Sequence, residues 1–200
     1  MRAFRLFLSV ILILSVFSCA PISNEIKTPP IKIYKAGYGF TPFNEPGWII
    51  NNPNDKFAIE IAKQGPTPNS TYAIQIFPEK IPLFDKEDSF YAYVISNYLA
   101  QESSPRFEII NISAQKYEND KTLCVELHFK SIDKDPVKRE QHSGDMILES
   151  HGYMCRHPET NDIGYFINFS HRYHKDEASI SVEEIAQKVL NNFDFVEFYY

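Results

Sequence analysis

Two stretches, TLCVELHFK (residues 122–130) and MILESHGYMC (residues 146–155), decide the fold. Each alternates polar and apolar residues with the two-residue period of a half-buried strand. In the first, Leu123, Val125, Leu127 and Phe129 share one face, and Cys124, Glu126 and His128 share the other. In the second, Met146, Leu148, Gly152 and Met154 lie together, opposite His151, Tyr153 and Cys155. Set antiparallel with Cys124 facing Cys155, Val125 meets Met154 and Leu127 meets Gly152, so the apolar faces coincide. A slip of one residue would throw every apolar side chain to the wrong side. This register predicts a Cys124–Cys155 disulfide and stands His128 directly opposite His151.

Working outward, IGYFINFSHRY (163–173) reads as the next strand, across the turn HPETND (157–162). Pairing Arg156 with Ile163 there would bring Asn168 beside His151 and Phe166 beside Tyr153. Upstream, RFEIINISAQ (106–115) is joined to the first stretch by the turn YEND (117–120). A long polar segment, DKDPVKREQHSG (133–144), separates the two opening strands. Nearer the N-terminus, GWIIN (47–51), FAIEIAKQ (57–64) and TYAIQIF (71–77) read as strands divided by turn-forming clusters, and Pro78 and Pro82 are expected to end the last.

Two helices complete the pattern. One is expected over residues 86–102, with Asp85 as N-cap, Glu87 and Asp88 in its first turn, and Phe90, Tyr91, Val94, Ile95, Tyr98 and Leu99 as its apolar stripe. The other starts at Ser181, where Ser181 and Glu184 have capping-box spacing. FDFVEFYY (193–200) would be a last strand or a docked tail. The expected order is β-β-β-α-β-β-β-β-α-β, an α+β domain whose antiparallel sheet is covered by helices.

That order, with the late amphipathic helix running into a short aromatic strand in SVEEIAQKVLNNFDF (181–195), resembles the Mog1/PsbP-like superfamily over about residues 33–198. A cystatin-like or NTF2-like arrangement fits the same elements. The superfamily includes photosystem accessory proteins, trafficking adaptors and bacterial lipoproteins, so the resemblance implies an accessory, non-catalytic role.

The N-terminus speaks to location. MRAFRLFLSVILILSVFSCA (1–20) carries Arg2 and Arg5 ahead of an uncharged run from Leu6 to Phe17. As a helix that run would reach only about 18 Å, short of a ~30 Å hydrocarbon core, so it reads as a signal segment. VFSC (16–19) resembles a bacterial lipobox, although Phe17 is bulkier than the residue usual at its position. The resemblance implies cleavage before Cys19, a diacylglycerol thioether on its sulfur and an acylated, palmitate-type N-terminus. Several acyl chains together make a stable anchor. Ala20 rather than Asp after the cysteine favours the outer membrane. Residues 20–32, APISNEIKTPPIK, are proline-rich and aperiodic, a tether reaching at most about 40 Å. Residues 33–200 are left for a single globular domain.

The whole chain has 20 basic and 26 acidic side chains, net −6; removing residues 1–19 takes away Arg2 and Arg5 and no acid, leaving 18 against 26, net −8. Such a domain repels phosphate backbones and anionic head groups, which argues against nucleic-acid partners. Chemistry-bearing motifs are scarce. Gly37-Tyr-Gly39 lacks the third glycine of a dinucleotide loop, and there is no P-loop and no G-x-S-x-G elbow. Ser143 and Asp145 flank His142 too closely for a triad. With Cys19 taken by lipid, Cys124 and Cys155 are an even pair in an oxidising compartment. The remaining candidate is the patch carrying His128, His151 and Glu126, with Tyr153 and Asn168, where two imidazoles and a carboxylate suit a divalent metal or small ligand. The sequence therefore reads as a non-catalytic, lipid-anchored envelope protein with no cofactor, docking another envelope component. The alternative is a periplasmic lipoprotein carrying a small ligand or metal on the His128/His151 face.

Overall fold

A computed structural model describes residues 24–101, 103–118, 121–134, 145–177 and 180–198. Cys19 and the expected signal segment lie outside the described residues. Among them, ten strands and two helices follow in the order β1 (Ile33–Lys35), β2 (Tyr38–Phe40), β3 (Ile49–Ile50), β4 (Ile59–Gln64), β5 (Thr71–Lys80), α1 (Glu87–Leu99), β6 (Phe107–Tyr117), β7 (Cys124–Asp133), β8 (Met146–Arg156), β9 (Ile163–His174), α2 (Val182–Asn191) and β10 (Phe193–Phe195). The domain is α+β and every strand pairing is antiparallel.

Seven strands form one sheet in the order β3-β4-β5-β9-β8-β7-β6, and β1-β2-β10 form a second. The long hairpins β6–β7, β7–β8 and β8–β9 follow from the alternation that defines them. The β7–β8 register pairs Cys124 with Cys155, Val125 with Met154, Leu127 with Gly152 and His128 with His151. The two sulfurs are bonded, with the Cα atoms 4.1 Å apart.

The seven-stranded sheet has two different faces. On one, Ile59, Ile61, Ile74, Ile76, Ile167 and Phe169 are buried beneath α2 and the small sheet. Helix α2 supplies Val182, Ala186, Val189 and Leu190, and its N-cap Ser181 accepts a hydrogen bond from the Glu184 N–H at 3.3 Å. Tyr38 and Phe193 of the small sheet stack over this face, with ring centroids 5.4 Å apart. On the other face, Val125, Leu127 and Met154 pack against Phe90 and Val94 of α1.

Several expectations need correction. The hairpin β1–β2 adds two strands ahead of the three expected. Its turn is Ala36-Gly37, and Gly37 takes a positive φ of 76° that suits glycine. Strand β5 does not stop at Pro78 but continues to Lys80, pairing with β9. Ile76 directs its carbonyl to the β4 side, where it accepts from the Tyr38 hydroxyl, and Pro78 has the same parity. Strand β4 pairs no further than Ile59↔Ile76, so the missing proline N–H falls on an open edge. Helix α1 is capped at Lys86, without a side-chain cap bond, rather than at Asp85. It ends at Leu99, after which Ser103 and Ser104 accept the Ile109 and Phe107 N–H groups and turn the chain into β6. The stretch read as a tether is docked from Asn24: Ile26 N donates to Trp48 O at 2.8 Å, Ile50 N donates to Asn24 O at 3.0 Å, and Ile26 packs on the core.

The last correction moves a site residue. Strands β8 and β9 pair Arg156 with Gly164, not with Ile163, so Phe169 rather than Asn168 stands opposite His151, and Ile167 rather than Phe166 opposite Tyr153. The cause is His157. Its backbone N–H donates to Ile163 O at 2.9 Å, extending the ladder by one residue. Its buried ring then closes the turn: Nδ1 accepts from Glu159 N and Thr160 N at 3.1 and 3.3 Å. With Nδ1 accepting, Nε2 carries the proton and donates to Val196 O at 3.3 Å. The turn is thus a packed corner, not a solvated loop.

Candidate functional site

The alternation of β7 and β8 brings His128, His151, Glu126 and Tyr153 to the α2 side of the sheet. The imidazoles lie 5.9 Å apart between ring centroids. They do not converge on a shared centre. His151 Nε2 is 2.9 Å from Glu126 Oε1, whose other oxygen accepts from Gln115 Nε2 at 2.6 Å. His128 Nε2 is 3.4 Å from Glu149 Oε1, and Glu149 Oε2 accepts from the Tyr173 hydroxyl at 2.8 Å and faces Lys130 Nζ at 3.1 Å. Burial would raise the Glu149 carboxyl, but hydrogen bonds from Tyr173, Lys130 and His128 outweigh it and hold it below the ordinary carboxylate range. The result is two separate imidazole–carboxylate pairs along the sheet diagonal. Among the described residues no group of three or more His, Cys, Asp or Glu side chains is arranged to hold a metal.

The rest of this face is similarly committed. The Tyr153 and Tyr117 hydroxyls both donate to Gln187 Oε1 of α2, each at 3.0 Å. Buried His171 stacks on Tyr173 with centroids 4.5 Å apart, and its Nε2 lies 3.0 Å from the Ser70 hydroxyl. Burial lowers its pKa to about 4, so the ring is neutral at physiological pH. A serine beside a histidine suggests nucleophilic chemistry, but Ser70 is fully buried, with no surface exposed to a substrate. Of the other histidines, His174 Nδ1 lies 3.4 Å from Asp176, and His142 lies outside the described residues.

The opposite face holds a cavity. Helix α1 covers β6 and β7 but leaves a groove of about 630 Å³ over β5, β9 and β8. Its floor is a cross-strand row: Gln75 pairs with Asn168, and Asn168 with Gly152. The next row is Ala73, Ser170 and Ser150. Phe77 and Phe166 line it together, with ring centroids 5.1 Å apart. Tyr93, Asn97 and Tyr98 of α1 form the roof. Burial pushes the Tyr98 hydroxyl up, while a hydrogen bond with Ser150 acts the other way.

Asn168, expected beside His151, is therefore on this groove. Gln75, Ser150, Ser170 and the α1 residues were not expected as site residues. A signal existed: Gln75 and Asn168 are carboxamides flanked by apolar residues in the middle of their strands, Ile74 and Ile76 around one and Ile167 and Phe169 around the other. Reading it required the β8–β9 register, which depends on the buried His157. No protein-family profile matches the sequence, and no curated protein is found to match it.

Proposed function

We propose that this chain is a non-catalytic envelope protein, anchored in the outer membrane through acylated Cys19, whose domain binds another envelope component. The observation that carries the reading is the groove under α1, a cavity within the roughly 300–1,000 Å³ span of small-molecule sites. The lipobox-like VFSC at 16–19 supports the anchor. Among the described residues no helix is long and apolar enough to cross a membrane. The Mog1/PsbP-like assignment draws support from the antiparallel sheet and from α2 leading into the aromatic strand β10.

The test has two arms. Alkyne-palmitate labelling of expressing cells should tag the protein, and Cys19→Ala should abolish the tag and release the protein from the membrane fraction. A photo-cross-linking residue in place of Phe77, at the groove mouth, should capture an envelope component, while one in place of Lys130, beside the histidine pairs, should not. Capture at neither position would sink the binding reading. The alternative, a metal or small ligand at His128, His151 and Glu126, draws support from the juxtaposed imidazoles. Zinc titration followed by histidine NMR shifts decides it, since stoichiometric binding there would favour the alternative.

A further inference from the structure

If the groove is the binding site proposed above, Asn168 on its floor shows what it binds. Asn168 is 5 % exposed and lines the groove, yet its carboxamide has no hydrogen-bond partner among the described residues. Its polar atoms are not among the sealed, unpaired ones of the interior, so they face the open groove, where a ligand can reach them. Its surroundings keep that space open. A Cβ at Gly152 would lie 2.9 Å from Asn168 Oδ1 and 2.5 Å from Ile167 O, so the glycine clears room for the amide. Gln75 stands directly across on β5, giving two adjacent carboxamides on the floor. In the roof, Asn97 uses its amide nitrogen on Tyr93 O at 2.8 Å, which leaves its carbonyl oxygen for a ligand.

The chemistry of these groups narrows the ligand. Glu79, exposed at the rim, is the one charged side chain among the described lining residues. An anion would find no cation here and would approach an acidic domain. A fatty chain would leave both carboxamides desolvated and unpaired. Each carboxamide offers an acceptor and two donors side by side, which matches neighbouring hydroxyls that donate and accept in turn. Phe77, Phe166, Tyr93 and Tyr98 supply apolar walls for the C–H faces of a ring. We infer that the groove between α1 and the large sheet binds neutral saccharide units, with Asn168 and Gln75 reading their hydroxyl groups.

Calorimetry on the full-length protein tests this with four kinds of probe: neutral disaccharides (N,N′-diacetylchitobiose, cellobiose, maltose), glucuronate, dodecanoate and an uncharged tripeptide amide. At least one neutral disaccharide should saturate, and glucuronate should bind at least several-fold more weakly than the disaccharides. Gln75→Leu and Asn168→Leu should each weaken the disaccharide at least tenfold. Glu183→Gln, in the exposed first turn of α2 on the opposite face, should leave it unchanged. If Asn168→Leu fails to fold, Asn97→Ala on exposed α1 carries the test, with a several-fold loss expected. Co-sedimentation with an insoluble neutral glycan, lost in the same variants, would place the ligand in a polymer, whereas binding of soluble disaccharides alone would make it a free sugar. Saturation by dodecanoate or the peptide instead of any saccharide would overturn the inference and leave the binding reading standing. No probe binding at all, with Phe77 cross-linking intact, would do the same. Failure of both would end the two together.

Discussion

The two faces of the seven-stranded sheet treat their polar groups in opposite ways. Under α2, the conspicuous polar side chains are paired with one another, His151 with Glu126, His128 with Glu149, Tyr153 and Tyr117 with Gln187, and His171 Nε2 with Ser70, while the buried His171 Nδ1 and Trp48 Nε1 have no partner among the described residues. Under α1, Gln75 and Asn168 sit on a cavity floor without partners among the described residues. A histidine-rich patch draws attention in a sequence, and a glutamine in a strand does not. Partnering reverses that ranking. Groups already satisfied by the fold specify structure, and groups the fold leaves wanting are available to a ligand.

The contrast can be broken most forcefully from the α2 side. Tyr38 is fully buried, its hydroxyl lies 2.9 Å from Phe57 O and 3.1 Å from Ile76 O, and its ring meets Tyr165 at 5.2 Å. It ties the small sheet to the large one. Tyr38→Ala should therefore cost about 3–5 kcal/mol in urea unfolding. A loss below about 1 kcal/mol would mean that the small sheet is a loose appendage and that this face is less committed than described.

The disulfide belongs to the same face and ranks next. It links residues 31 apart in sequence, so constraint of the unfolded chain contributes about 3–4 kcal/mol by the loop-entropy account. Thermal melts with and without reductant, and of the Cys124→Ser/Cys155→Ser double variant, should show that difference. An unchanged melting temperature would mean that the β7–β8 ladder holds without its staple.

A third test uses acid. His171 has a folded pKa near 4, below its unfolded value of about 6.5, because burial disfavours the charged ring. A depressed folded pKa contributes stability that is present above pH 6.5 and lost as pH falls toward 4. By linkage the loss at pH 5 is about 2 kcal/mol relative to pH 8. His171→Phe should flatten the stability profile between pH 6.5 and 4. If the slope persists in that variant, another group carries it and the neutral, structural assignment of His171 is wrong.

Much of this architecture was legible. The strands β6 to β9, the β7–β8 register, the start of α2 at Ser181 and its capping bond all follow from alternation and capping chemistry, which are local. What was not legible depended on distant neighbours. Pro78 is tolerated because β4 stops short of it, a fact about another strand. The β8–β9 register turns on a histidine whose burial under Phe195 and Phe198, 5.2 and 5.0 Å away, only the folded tail creates. That single-residue shift carried Asn168 to the other face. The groove was invisible for the same reason: strand periodicity tells which residues point inward, not whether a helix will cover them.

The smallest expected effect on stability is the sharpest test of the contrast. Replacing a paired polar group on the α2 face strands its partner: Ser70→Ala leaves the buried His171 Nε2 unsatisfied and should cost about 1–3 kcal/mol. Gln75→Leu and Asn168→Leu strand nothing within the protein, because nothing there binds those amides. They should change stability by less than about 1 kcal/mol, and in the stabilising direction, since an unpaired amide is exchanged for a methyl-bearing side chain of similar size. Matched urea titrations of the three variants separate the cases. If the groove variants lose stability as Ser70→Ala does, the carboxamides are structural and the two faces are alike. If they gain stability while losing affinity for the groove's ligand, the unpaired amides are maintained for binding rather than for the fold.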